Sequence, residues 1–161
     1  MWNRAIAMAG AALLAAGGFG LALPAAANAA PPTDPSDLNQ QPFQSTDPIE
    51  TGCDIGAYVM KSWDMHNAVY NEVQGLAQLV YSPTCETNWV NVYGFTPGNT
   101  YDVFISRSSD NIGGLAASVN AGGAADTLQT YAPGNTCVEV KWEIQNTTTA
   151  ITEGLGSSMM C

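Results

Sequence analysis

Basic side chains are nearly missing from this sequence: four Lys and Arg stand against fourteen Asp and Glu, a formal net charge of −10 over 161 residues. A nucleic-acid binder needs a cationic surface to neutralise phosphates, and so few cations cannot build one. The same deficit disfavours anionic membranes. Histidine is scarcer still: His66 stands alone, which removes multi-histidine metal sites and histidine proton relays. Also absent are a Gly-x-Ser-x-Gly elbow, a His-Glu-x-x-His motif, a Walker-type glycine loop and a cysteine nucleophile with a histidine base. His66 lies in Asp64-Met-His-Asn67 between strand candidates and reads as a polar turn residue. The carboxylates scatter among turns and strand faces, without the paired placement a glycosidase needs. No catalytic residue, metal ligand or cofactor is therefore assigned. Calcium is the one ion the charge would permit, and Asp110-Asn111 before Gly113-Gly114 lacks the regular acidic spacing of a calcium loop.

What is present divides into three parts. Residues 1–29 hold 21 of the 74 apolar residues, with Arg4 as their only charge, an apolar run from Ala5 to Leu23, Pro24, and Ala27-Asn28-Ala29 before Ala30. This pattern predicts a secretory signal peptide cleaved after Ala29. Without it the side-chain charge becomes 3 − 14 = −11, and no membrane insertion is expected after cleavage. Residues 30–52 carry five prolines and four carboxylates, with Leu38, Phe43 and Ile49 as the only large apolar residues. So little apolar surface does not offset ordering entropy, which predicts an extended or disordered tail with those three as spaced anchors for a partner.

Residues 53–161 are expected to form one domain. Val138, Val140, Trp142 and Ile144 alternate with Glu139, Lys141 and Glu143, the period of a strand with one buried face. Residues 89–93 and 101–105 read as strands joined through Pro97-Gly98 into a hairpin, and 57–63 and 76–82 are further strands, with Gln74-Gly75 as a turn. Helical periodicity is lacking. The expected fold is all-β: a small antiparallel, sheet or barrel-like domain of five to seven strands. Residues 108–126, rich in Gly and Ala, read as a mobile loop with one helical turn at 115–119, and 145–158 as a loose C-terminal segment.

All four cysteines fall in this domain, and an exported chain meets an oxidising environment, so two disulfides are the default. Four cysteines allow three pairings; the sequence-local one, Cys53 with Cys85 and Cys137 with Cys161, is the expected one. Among the aromatics, Trp142 reads as core, whereas Trp89 after the polar Cys85-Glu-Thr-Asn88 turn and Tyr93 on the same strand are candidate partner contacts. Asn146-Thr147-Thr148 fits a glycosylation acceptor.

The segment Leu79-Val-Tyr-Ser-Pro-Thr-Cys-Glu-Thr-Asn-Trp-Val90 resembles the Tyr-Ser-Pro-x-Cys-x-Thr-x-Trp signature of DUF2690, a family of small secreted actinobacterial proteins of unknown function. Tyr81, Ser82, Pro83, Cys85, Thr87 and Trp89 carry the match; Thr130-Tyr-Ala-Pro-Gly-Asn-Thr-Cys-Val138 is similar to the family's last turn and strand, and Cys53 to its upstream cysteine. The resemblance spans roughly residues 53–140. Val90 and Asn91 stand where the family usually has Arg. It implies fold and secretion but no reaction. A second similarity is architectural. The tail on a disulfide-braced β domain resembles the strap-bearing adaptor of secreted, umbrella-shaped toxin assemblies, without a shared motif. The expectation is a non-enzymatic interaction module for an extracellular protein or envelope partner. The alternative is a glycan binder or enzyme inhibitor acting through exposed aromatics and residues 108–126.

Overall fold

A computed structural model describes residues 41, 43–108 and 115–161. The signal-peptide segment, Leu38 and the Asp110–Gly114 stretch lie outside the described residues. The described chain is all-β, with nine strands: β1 Tyr58–His66, β2 Val73–Ser82, β3 Thr87–Gly94, β4 Asn99–Arg107, β5 Leu115–Asn120, β6 Ala124–Asp126, β7 Thr130–Tyr131, β8 Val138–Asn146 and β9 Thr152–Met160. They form two antiparallel sheets. The first runs β1-β2-β3-β6, with β7 also on β3; the second runs β5-β4-β8-β9. Neither closes into a barrel, and nine strands replace the five to seven expected.

Both sheets contribute to one core. Leu79, Val90 and Val92 from the first meet Tyr101, Val103, Ile105, Val140 and Ile144 from the second, all fully buried. The alternation on β8 comes out as expected, with Val138, Val140 and Ile144 inside. Trp142 packs against this core, half-buried, its ring 5.6 Å from that of Trp63 on β1. It lies over Gly156 on β9, where a Cβ would collide with the indole.

The largest departure from expectation lies between β3 and β4. They do not pair as a hairpin; β3 belongs to the first sheet and β4 to the second, so residues 94–99 cross from one to the other. Tyr101 explains why. Its fully buried ring lies against Gly75 on β2 and Gly94 on β3, and a Cβ on either would strike it. Its hydroxyl accepts the Thr96 N–H at 2.9 Å, which pins the crossing. The ring packs between the two sheets where the chain passes from one to the other.

Other corrections follow the same physics. Gln74 and Gly75 sit inside β2, and the turn is 67–72, where Asn67 Oδ1 accepts the Val69 and Tyr70 N–H groups. Residues 115–120 are a strand on β4 instead of a helical turn, and 124–126 pair with β3. The C-terminal segment read as loose is β9, paired along β8. Residues 43–52, expected as tail, are folded onto the domain. Asp47 Oδ1 accepts the Ile49 and Glu50 N–H groups, Thr46 bridges Gln129, and the buried Gln129 amide donates to Thr46 Oγ1 and Thr51 Oγ1 at 2.8 and 2.9 Å. The disulfides pair as expected, Cys53–Cys85 and Cys137–Cys161.

One end of the molecule is organised by Glu153. Its carboxylate accepts from Asn67 Nδ2, Asn99 Nδ2 and Asn146 Nδ2 at 3.0–3.2 Å, and its backbone carbonyl accepts the Ala68 N–H. Asn67 shapes the β1–β2 turn, and Asn146 Oδ1 accepts from Thr148 and Thr149 in the β8–β9 turn. One carboxylate thus fixes turns from both sheets. Hydrogen bonds to a charged group contribute up to about 1.5–3 kcal/mol each. Because Glu153 is only half-buried, water replaces much of what its loss removes, so Glu153→Ala is expected to lower unfolding free energy by about 2–3 kcal/mol in total in urea titration. A loss of about 0.5 kcal/mol, typical of a plain surface change, would show that the turns hold themselves.

The two disulfides differ in access. Cys53 and Cys85 are buried, whereas Cys137 is half-buried and Cys161 exposed. Graded reduction followed by alkylation and mass spectrometry is expected to label Cys137 and Cys161 first; simultaneous labelling of all four would contradict this.

Candidate functional site

At the end opposite Glu153 the sheets part and leave a cleft of about 190 Å3. Its walls come from distant stretches: Tyr58 and Met60 on β1, Tyr81 on β2, Asn88 on β3, Ala132 and Gly134 to Thr136 before β8, and Val138, Met160 and Cys161. The register places Tyr58 opposite Tyr81, and Tyr81 opposite Asn88. The Tyr58 and Tyr81 rings meet edge to face, centroids 5.9 Å apart at 79°. Asn88 Nδ2 donates to the Val80 carbonyl at 3.3 Å, which holds the amide in the wall.

Glu86 completes the group. It occupies the tight β2–β3 turn with φ 54°, left-handed backbone that a non-glycine residue adopts at a cost. Three neighbours hold it there: Cys85 is tied to Cys53, Thr87 Oγ1 donates to Gln129 Oε1 at 2.6 Å, and the Ala132 N–H donates to the Glu86 carbonyl at 2.9 Å. The carboxylate then accepts the Tyr131 hydroxyl at 2.9 Å. Tyr131 itself is fixed through its backbone, its N–H donating to Gln44 Oε1 and its carbonyl accepting from the fully buried Arg107. Three tyrosines and one carboxylate thus gather beside a polar and apolar cleft. Partial burial first, then the Glu86 charge and Tyr58, raise the Tyr81 pKa above 10.0. Partial burial, the hydrogen bond to Glu86 and its charge do the same to Tyr131.

The sequence-predicted contacts fall elsewhere. Trp89 is only 4% exposed, so it is a packing residue and not a free contact. Tyr93 is half-buried at the far end of β3 from the cleft. Phe43 is half-buried, and Ile49 is 65% exposed on the folded 43–52 segment. His66 ends β1 with Nδ1 3.1 Å from the Asn71 carbonyl, as part of the turn. Asn146 is engaged with Glu153. Among the described residues no group of three or more His, Cys, Asp or Glu is placed to hold a metal ion. Tyr58 and Glu86 were not singled out from sequence. Tyr81 and Tyr131 stood inside the two resemblance segments, whose convergence linear spacing conceals.

The family model described as a protein of unknown function, DUF2690, matches residues 41–136, more than half of the chain. The chain belongs to the DUF2690 family. The DUF2690 match contains Tyr58, Tyr81, Glu86 and Tyr131, together with β1 to β7 and the Cys53–Cys85 bridge, and β8, β9 and Cys161 lie after it. No curated protein and no solved structure matches the chain. Both disulfides are consistent with an extracellular protein.

A tyrosine whose pKa is higher folded than unfolded adds stability that is complete below about pH 10 and is lost as pH rises through the folded value. Alkaline titration followed by tyrosine-resolved NMR is expected to show Tyr81 and Tyr131 ionising late. In Glu86→Gln both should ionise earlier than in the wild type, because the charge and, for Tyr131, the hydrogen bond are removed while burial persists. An unchanged titration curve would remove Glu86 as a cause.

Proposed function

We propose that this DUF2690 protein is an exported, non-enzymatic interaction module that holds a protein partner at the tyrosine-lined cleft. The observation that carries this reading is convergence: Tyr58, Tyr81, Asn88, Ala132 and Met160, far apart in sequence, wall one opening that also borders Cys161 of the Cys137–Cys161 disulfide. Tyrosine suits such a place because it offers a large apolar face, a polar tip and few rotatable bonds to order on binding. The cleft lies between two sheets, one disulfide bracing the elements of each, so little backbone ordering accompanies binding.

Export is read from the residue 1–29 pattern and from the disulfides, and the acidic balance favours a neutral or basic partner outside the cell. Residues 43–52 serve the domain itself, so a docking strap would be confined to residues 30–40, with Leu38 as its anchor.

Affinity capture of the tagged protein from culture supernatant, read by mass spectrometry, tests the module. The wild type is expected to retain a partner that the double variant Tyr58→Ala, Tyr81→Ala loses at least tenfold, with circular dichroism showing both folded. Equal capture by the two would remove the cleft as the contact, and binding to a glycan array would replace the protein partner by a carbohydrate one.

A further inference from the structure

We infer that the cleft recognises a basic side chain, the ammonium of a lysine or the guanidinium of an arginine presented by the partner protein. This rests on the interaction-module reading and specifies its ligand. Aromatic faces carry negative quadrupole charge and attract cations, most strongly where a carboxylate stands beside them and water is partly excluded. Here Tyr58 and Tyr81 meet edge to face in the cleft wall. Glu86 stands behind that wall: its carbonyl accepts the N–H of Ala132, which lines the cleft, and its carboxylate accepts the Tyr131 hydroxyl. The Glu86 charge reaches both Tyr81 and Tyr131, which places the carboxylate within electrostatic range of the cleft wall.

The protein's own cations do not meet this demand. Of the three among the described residues, Arg107 is buried and donates to Gln44 Oε1 and the Tyr131 carbonyl, Lys141 pairs with Glu139 at 3.0 Å, and Lys61 on β1 does not line the cleft. Among the described residues no cation forms an ion pair with Glu86. Tyr58 is 53% exposed, so its ring is open to an incoming group. The stems of lysine and arginine are apolar, and Met60 and Met160 supply an apolar wall for them. The net charge of −10 draws a basic partner toward the whole surface before contact.

The test uses the purified protein with its disulfides intact, titrated with Nα-acetyl-lysine amide, Nα-acetyl-arginine amide and the uncharged Nα-acetyl-norleucine amide. Tyrosine ring signals are followed by NMR. The two basic probes are expected to shift Tyr58, Tyr81 and Tyr131 saturably, to bind at least tenfold more weakly to Glu86→Gln, and to weaken as salt is added; the norleucine probe should leave the three rings unmoved. Equal response to norleucine, or an unchanged Glu86→Gln, overturns the charge recognition. If the double tyrosine variant loses the captured partner but the basic probes move no tyrosine, the cation inference fails and the module reading survives. If the basic probes bind while capture ignores the tyrosines, the module reading fails and the cation site stands.

Discussion

The placement of one ring decides the topology. Tyr101 fills the space between the sheets against two backbones that carry no Cβ, Gly75 and Gly94, and its hydroxyl holds the Thr96 N–H. That ring packs where the chain leaves β3 in one sheet and enters β4 in the other, and its hydroxyl anchors the crossing. Every later pairing depends on this. β4 is free to take β5 on one side and β8 on the other, and β8 then carries β9. A larger residue at Gly94 would force the ring out, and the crossing with it.

How far the sequence revealed this fold depends on where the signal resides. On β8 it resides in single side chains: charges alternate with Val138, Val140 and Ile144, and both the strand and its buried face were read correctly. The cysteine pairing was legible for a similar reason, since sequence-local bridges coincide here with strand ends brought together. Pairing between strands is a property of two segments at once, and a Pro-Gly between two strands signals a turn without saying whether it stays within a sheet. β5 and β9 escaped notice because they contain few large apolar residues. On β9 the small Gly154 and Gly156 fit their surroundings, since the His66 backbone carbonyl and the Trp142 indole stand where their Cβ atoms would be. The groups that demand small residues lie on β1 and β8, where a reading of β9 alone cannot find them.

The segment 43–52 shows a different limit. Its apolar content is too low to fold by burial, and the residues that hold it are polar and remote. Gln129 bridges Thr46 and Thr51, and Gln44 accepts from Thr130, Tyr131 and Arg107. Each such bond adds little on its own, but together with the Cys53 bridge they restrict a chain already stiffened by proline. The candidate site was hidden likewise: Tyr81 and Tyr131 were visible as motif residues, but Glu86 owes its role to a left-handed turn that no periodicity announces.

Glu153 cross-braces the turns at one end of the molecule, and the tyrosines stand beside an opening at the other. Between them, Trp63 and Trp142 come from opposite sheets with rings 5.6 Å apart. Transition dipoles this close couple when excited, so the pair has a circular dichroism signature of its own whose amplitude depends on the separation of the two rings. The protein therefore contains an optical gauge of the spacing between its sheets, readable without any label.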